Sequence, residues 1–199
     1  MKPIIGIIMR ESTSEIGHKI KYIYDDIEYA IKKSGGIPIG ISNNDIEPYL
    51  NICNGFILQG GDNIDKNDLN IIKILYEKDI PLLGICLGMQ EIGMFFNGKE
   101  TNISNHLNKD YHEVNIKKDS LLFNIIKTNK ILVNSRHKSA IYNTSLDICG
   151  ISYDNVTEAI EDKNKKFFLG VEWHPENMYI YDLNSRKIFD YFINICNDK

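Results

Sequence analysis

The sequence predicts an α/β fold with a doubly wound, mostly parallel sheet, helices on both faces and an antiparallel C-terminal extension. Three observations predict it. Short apolar runs alternate with helical patterns in the first half of the chain, glycines bound these runs, and strand-like segments follow one another later. The 199 residues include 43% hydrophobic and 25% charged residues, so residues 1–199 are expected to form a single domain.

The first half of the chain is expected to alternate strands with helices. Strands are predicted at four apolar runs, which are residues 4–8, 37–41, 55–58 and 81–85. The last run is apolar on both faces, as a central parallel strand should be. Helices are predicted from apolar spacing over residues 19–34, 68–78 and 88–96. Asp68 is the expected N-cap of the second helix.

The second half of the chain reads differently, because strand-like segments follow one another with few helical patterns between them. Strands are predicted at residues 114–116, 130–133, 146–153, 156–161 and 167–171. A helix is predicted over residues 184–196, where apolar residues fall on one side. These segments supply the antiparallel extension.

Composition excludes several classes of function. The net charge of −4 and the lack of a basic stripe give no reason to expect a nucleic-acid partner. No apolar run reaches the ~18 residues that a membrane span requires, and the N-terminal residues do not form a leader, so a cytoplasmic location is expected. The cysteines show no metal-ligand spacing. The scattered histidines are expected to form no ligand cluster, with His18, His106 and His112 at the surface, so no metal and no organic cofactor are expected.

One cysteine lies in a pattern typical of a nucleophile. Cys86 occupies the centre of Gly84-Ile85-Cys86-Leu87-Gly88, between a predicted strand and a predicted helix. Such a sharp elbow holds the nucleophile above the sheet and requires glycine on both sides for close helix–strand packing. The helix N-terminus and a nearby imidazolium would favour the thiolate. The alternative is a buried structural cysteine in a tight turn.

A histidine and a carboxylate two positions apart supply a candidate base and its partner. Pro175 favours extended backbone at His174, so His174 and Glu176 are expected on the same side of the chain. Glu176 would then hold one ring nitrogen while the other faces Cys86, which is the arrangement of a catalytic triad. The alternative is a solvated His-Pro-Glu turn.

Several segments resemble known families. LLGICLGMQ at 82–90 and GVEWHPE at 170–176 are similar to the two signatures of class I glutamine amidotransferases. VNSRHKSA at 133–140 and DNVTEAIE at 154–161 resemble the γ-glutamyl-γ-aminobutyrate hydrolase family, and so does the segment at 22–41. The resemblance covers nearly the whole chain and implies a flavodoxin-like class I glutamine amidotransferase fold.

The resemblance also implies roles for individual residues. Cys86 would be the nucleophile, His174 the base and Glu176 its orienting partner, with the backbone amides of Gly61 and Leu87 as the oxyanion hole. Other residues are expected to bind substrate or line the site, and they are Gly60, Gln90, Ser135, Arg136 and His137. Arg10, which follows the first strand, is a candidate for binding a carboxylate or phosphate, or else a solvated loop residue.

The implied activity is hydrolysis of a γ-glutamyl amide of a small molecule. Candidate substrates are γ-glutamyl-γ-aminobutyrate and γ-glutamyl-CDP-amidate, the latter used in making capsular phosphoramidates. The sequence departs from the family at Gln59, where members commonly have proline, in the shortened loop at 62–68, and in Cys-Leu-Gly, where the hydrolases often have Cys-Arg-Gly. Alternatives are a glutaminase subunit that feeds a synthase partner and a catalytically silent binding protein. A homodimer is compatible with each.

Overall fold

The computed structural model describes residues 1–107 and 109–197. The strands are β1 (Ile4–Ile8), β2 (Arg10–Thr13), β3 (Lys19–Tyr22), β4 (Ile37–Ile41), β5 (Gly55–Leu58), β6 (Leu82–Ile85), β7 (Lys99–Asn102), β8 (Lys109–Ile116), β9 (Lys130–Ser135), β10 (Ser139–Tyr142), β11 (Asp147–Ser152), β12 (Thr157–Glu161) and β13 (Phe168–Val171). The helices are α1 (Asp25–Lys33), α2 (Lys66–Glu77), α3 (Leu87–Phe95), α4 (Leu121–Ile126), α5 (Pro175–Met178) and α6 (Leu183–Asn197), with a 3-10 turn at Glu47–Tyr49.

The main sheet has the strand order β4-β1-β5-β6-β13-β12-β11-β8-β9. Strands β4, β1, β5, β6 and β13 pair with one another in parallel, and β12, β11, β8 and β9 add an antiparallel extension that begins at the β13–β12 pair. The order reverses at β1, where the chain passes from one side of the sheet to the other. The predicted doubly wound α/β fold is therefore confirmed.

Apolar side chains pack on both faces of this sheet. Adjacent residues of β6 face opposite ways, so Leu83 joins one apolar cluster and Leu82 the other. The first cluster contains buried residues of α1, α4 and α6, and the second contains buried residues of α2 and α3. Burial on both faces explains why β5 and β6 are continuous apolar runs.

Two of the predicted helices begin at residues other than those predicted. Residues Lys19–Tyr22 form β3, which pairs with β2 in an antiparallel hairpin, and α1 begins only at Asp25. The Lys-Ile-Lys-Tyr alternation at 19–22 was the signal for this strand. The N-cap of α2 is Asp65, whose side chain accepts a hydrogen bond from the Asn67 amide at 2.8 Å, and not Asp68. Asp68 is fully buried in the first turn of α2, where its carboxylate pairs with Arg10.

Short elements went unpredicted. The small β7–β10 sheet and helices α4 and α5 have four to six residues per element, which is too short for a periodic pattern. Ser120 does provide a local signal, because its side chain caps α4 by accepting from the Phe123 amide. Among the residues described, no helix is long and apolar enough to cross a membrane.

Candidate active site

Cys86 lies at a sharp elbow between β6 and α3. Its backbone has φ 51° and ψ −109°, a conformation that non-glycine residues rarely adopt. The flanking glycines allow the helix to approach the sheet, because a Cβ on Gly88 would lie 2.1 Å from the Leu58 carbonyl oxygen. A Cβ on Gly84 would lie 2.8 Å from the Gly88 carbonyl group. The predicted requirement for glycine on both sides of the cysteine is therefore confirmed.

The thiol of Cys86 is buried, and only 7% of the residue is exposed. Burial raises the pKa of Cys86 well above its ordinary value, and the Glu172 and Glu176 carboxylates raise it further. The Leu87 amide and Arg10 lower the pKa by less. The Leu87 amide thus favours the thiolate, as expected of a helix N-terminus, but burial raises the pKa by more.

His174 and Glu176 are paired, although not through the extended backbone that was predicted. The chain turns into α5 at Pro175, directly after His174. The Nδ1 atom of His174 lies 2.7 Å from Oε1 of Glu176, so the other ring nitrogen remains for a second partner. Asn134 fixes the backbone of His174 by accepting from its amide at 2.8 Å and donating to its carbonyl at 2.9 Å. Glu176 therefore holds the imidazole, and Asn134 holds the backbone that carries it.

Gly60 is the point at which these segments meet. A Cβ at Gly60 would lie 2.9 Å from Cε1 of His174 and 3.7 Å from Cβ of Cys86. The imidazole and the cysteine thus both border the space that a side chain at position 60 would occupy. Glycine is required here by close approach, not by a positive φ. Gly60 packs against the site and offers no side chain to a substrate, whereas Gly61 lines the adjoining pocket.

Arg10 was expected at a position to bind substrate, and the structure gives its guanidinium other partners. It is 7% exposed and forms ion pairs with Asp68 and Glu91. It also donates to the carbonyl oxygens of Gln59 and Gly60. These contacts occupy all three guanidinium nitrogens of Arg10. The prediction that Arg10 contacts the substrate directly is therefore wrong.

The contact between Arg10 and Gly60 orients a backbone amide. Nε of Arg10 lies 3.2 Å from the Gly60 carbonyl oxygen. A trans peptide directs its N–H opposite to its C=O, so the Gly61 amide points away from the guanidinium. Gln59, the departure from the family's proline, uses its side chain to hold the β2–β3 hairpin through Tyr22 and Tyr24.

The remaining predicted residues divide between the site and the interior. Arg136 is exposed and lines the same pocket as Cys86. Ser135 is buried and donates to the His106 carbonyl, and His137 is buried beside His106. Gln90 also faces inward and donates to the Ser139 carbonyl and to Glu172. The expectation that Gln90, Ser135 and His137 face the substrate is therefore wrong, because their polar atoms have interior partners.

The pocket beside Cys86 has a volume of about 320 Å³ and mostly polar walls. Its lining residues are Tyr24, Asp26, Gly61, Asp62, Cys86, Arg136, His174, Glu176 and Asn177. Sequence reasoning missed Tyr24, Asp26, Asp62 and Asn177. Asp62 and Asn177 directly follow predicted site residues, which was the available signal. Tyr24 and Asp26 are placed by the hairpin and the start of α1, which the sequence did not reveal.

Histidines that were expected at the surface are instead buried. His106 is 0% and His112 is 4% exposed, and the His106 ring packs against both His112 and His137. In β8, His112 alternates with the buried residues Val114 and Ile116, so the period of two could have predicted its burial. The expectation that the histidines form no cluster was therefore wrong.

Comparisons with known proteins place the chain in a family. Residues 65–176 match the model of the Peptidase C26 family. A γ-glutamyl-γ-aminobutyrate hydrolase from Escherichia coli is 28% identical, over 98% of this chain and 93% of the relative. A γ-glutamyl-CDP-amidate hydrolase from Campylobacter jejuni is 33% identical over 66% of each chain.

A solved structure extends the comparison to the fold. The glutaminase domain of Trypanosoma brucei CTPS with bound acivicin has a TM-score of 0.78 at 16% identity, covering 99% of this chain and 94% of the other. The family model includes the elbow around Cys86, the Asn134–His137 segment and the His174–Glu176 pair. The chain belongs to the Peptidase C26 family, within the class I glutamine amidotransferase-like superfamily.

Proposed function

We propose that the protein is a cysteine hydrolase that cleaves the γ-glutamyl amide bond of a small molecule and releases glutamate and an amine. The observation that carries the proposal is the convergence of Cys86, at its strained elbow, with the His174–Glu176 pair around Gly60. The names of two relatives, both γ-glutamyl hydrolases, support the same reaction class.

The mechanism follows from the position of His174 and Cys86 on either side of Gly60. As the Cys86 sulfur bonds to the γ-carbonyl carbon, the thiol proton passes to the free nitrogen of His174, whose Nδ1 is held by Glu176. The Gly61 and Leu87 amides would bind the oxyanion, and one such donor is typically worth about 3 kcal/mol of barrier. The proton then moves to the leaving nitrogen as the C–N bond breaks, giving a thioester. Water, activated by His174, adds to the thioester, and glutamate leaves with the thiol restored.

The pocket suits the headgroup of a γ-glutamyl compound, which carries an α-ammonium and an α-carboxylate. Arg136 is a cation on the pocket wall and could bind the carboxylate. Asp62 is an exposed carboxylate on the same wall and could bind the ammonium. Asp26 is held by Asn177, whose side-chain amide donates to it at 2.7 Å. Asp62 and Arg136 are therefore our candidates for headgroup recognition.

The charges around the pocket also bear on the leaving group. Its lining includes the carboxylates of Asp26, Asp62 and Glu176 against the single guanidinium of Arg136. Such a wall repels a pyrophosphate more than it repels an amine. We therefore expect a small amine leaving group, as in γ-glutamyl-γ-aminobutyrate, to be cleaved faster than a nucleotide amidate.

The test is glutamate release from a panel of substrates, measured for the wild type, Cys86→Ala and Cys149→Ala. The panel contains glutamine, γ-glutamyl-γ-aminobutyrate, other γ-glutamyl amides and γ-glutamyl-CDP-amidate. Cys149 is buried away from the pocket, so Cys149→Ala is the matched control and should retain activity. Cys86→Ala should lose activity by a factor of at least about 10³, as removal of a nucleophile does. Mass spectrometry of quenched reactions should detect a γ-glutamyl adduct on Cys86.

Different outcomes separate the alternatives. Cleavage that survives in Cys86→Ala would overturn the mechanism. If only glutamine is cleaved, and slowly, the protein behaves as a glutaminase subunit and the free-standing hydrolase is rejected. If the CDP-amidate is the best substrate, the argument from pocket charge fails while the reaction class stands.

A further inference from the structure

Four buried side chains converge behind the Asn134–His137 segment, outside the pocket. They are His106, His112 in β8, His137 and Glu158 in β12, and none is more than 4% exposed. We call them the histidine cluster. His106, His112 and Glu158 each offer a ligand atom, and these atoms all lie within 4.8 Å of one another. Neither the proposed reaction nor the pocket uses this group.

The polar atoms of the cluster surround one carboxylate oxygen. Oε1 of Glu158 lies 2.9 Å from Nε2 of His112, 3.2 Å from Nδ1 of His106 and 3.7 Å from Nε2 of His137. The latter two nitrogens are 3.0 Å apart. Ligands bound at about 2.0–2.1 Å in a tetrahedral site are separated by about 3.3 Å, so these distances resemble the edges of such a tetrahedron.

Outer partners determine which ring nitrogens carry protons. Nδ1 of His137 lies 2.9 Å from the Ser139 carbonyl oxygen, which can only accept, so this nitrogen is protonated. Nε2 of His106 lies 3.0 Å from the Asp154 carboxylate and is protonated for the same reason. In the neutral rings, Nε2 of His137 and Nδ1 of His106 then carry lone pairs, and these lone pairs face each other and Glu158. These acceptors need a cation between them.

Two further features of the cluster support a metal ion over a network of hydrogen bonds alone. In the described part of the chain, Oε2 of Glu158 is buried with no hydrogen-bond partner. The outer nitrogens of His137 and His106 have a backbone carbonyl and a carboxylate as partners, as those of metal-bound histidines usually do, whereas Nδ1 of His112 is buried without one. The competing occupant is a single proton on His106.

We propose that the histidine cluster binds one Zn²⁺ ion through Nδ1 of His106, Nε2 of His112 and Oε1 of Glu158, with Nε2 of His137 as the fourth ligand. Imidazole and carboxylate donors suit zinc, and a site with four protein ligands is structural in type. The ion would hold His137, and with it the segment that carries Arg136 to the pocket. The proposal does not depend on the substrate or on the triad.

The first experiment needs no variant in the cluster. The protein without a histidine tag, in a Cys86→Ala background that keeps zinc away from the thiol, is stripped with dipicolinate and titrated with Zn²⁺. Bound metal is measured after gel filtration and the unfolding midpoint by thermal scan. We expect one zinc per chain and a raised midpoint. Co²⁺ should give the intense visible bands of a four-coordinate ion. A folded protein that takes up no stoichiometric zinc would overturn the proposal.

Variants then locate the ion. His112→Gln and Glu158→Gln should abolish both the zinc uptake and the rise in midpoint, while His18→Gln, at an exposed histidine outside the cluster, should keep both. Asp154→Asn changes only an outer partner and should weaken zinc binding by about 10–100-fold. Stoichiometric binding that is equally tight in His112→Gln and Glu158→Gln would place the metal elsewhere and reject the site.

Discussion

Two buried ionic clusters lie beside the candidate active site, and they balance their charges in different ways. The arginine cluster, formed by Arg10, Asp68 and Glu91, contains its own permanent cation. The histidine cluster contains three imidazoles around Glu158 and no permanent cation. The first holds the Gly60 carbonyl, and the second holds the segment next to Arg136.

The difference shows how each cluster responds to its surroundings. A guanidinium stays charged at every accessible pH, so the arginine cluster keeps its cation whatever the solution contains. Neutral imidazoles offer lone pairs, so the histidine cluster takes its charge from a proton or an ion in solution. The amide of the proposed oxyanion hole thus rests on the cluster that has its own cation, and the wall of the pocket rests on the cluster that lacks one.

The largest expected effect follows from removing the permanent cation. Arg10→Met leaves Asp68 and Glu91 buried without their partner, so the free energy of unfolding should fall by about 3–5 kcal/mol in denaturant titrations. Lys32→Met, which breaks an exposed ion pair with Glu28, is the control and should cost about 0.3–0.5 kcal/mol. Equal small losses in the two variants would contradict the assigned role of Arg10.

The Gly60 contact can be tested separately from the cation that supports it. Gly60→Ala places a methyl group 2.9 Å from Cε1 of His174, so the imidazole must shift. A displacement of about 1 Å at a catalytic group can cost about 10² in rate, and kcat should fall by that order with little change in KM. Gly40→Ala, whose new methyl group would meet the flexible Met9 side chain, should retain wild-type kcat. Unchanged kcat in Gly60→Ala would remove position 60 from the site.

The arginine cluster also predicts a pH dependence of stability. One guanidinium faces two carboxylates, and burial raises the pKa of Glu91 to about 8, although Arg10 lowers it. The ordinary pKa of this carboxyl group is 4.5, so between pH 4.5 and a pH of about 8 Glu91 is ionised in the unfolded chain and protonated in the folded chain. Stability should therefore decline as pH rises through this window, by up to about 1.4 kcal/mol per unit. Glu91→Gln should flatten the decline, and an unchanged profile would exclude Glu91 as its source.

The smallest expected effect concerns the protonation state of Cys86. Because burial raises the pKa of Cys86 more than Arg10 lowers it, we expect the thiol to be protonated in the resting enzyme. Alkylation of Cys86 by iodoacetamide should accelerate about tenfold per pH unit and continue to rise beyond pH 9. Peptide mapping separates Cys86 from the other cysteines. A plateau below pH 7 would indicate an ion pair with His174 in the resting enzyme.

Much of the architecture was predictable because its signals are local. The strands of the parallel half and the elbow at Cys86 appear as apolar runs and glycine spacing, and the His174–Glu176 pair needs only two positions of separation. The buried positions and partners of the Arg10, Gln90 and His137 side chains were not predictable. Their partners lie 30 to 80 or more residues away in the chain, or depend on which face of a strand turns inward. A single sequence does not encode that choice locally.

The segment Asn134–His137 alternates its side chains between the interior and the site wall. Ser135 and His137 face the interior, whereas Arg136 faces the pocket. Position 136 can therefore change without disturbing any buried contact of its neighbours. In evolutionary terms, this separates the residue that selects a substrate from the residues that maintain the fold. Relatives that accept a different headgroup could arise by substitution at this one position, whereas a single-residue insertion before it would exchange the two faces and expose the imidazole.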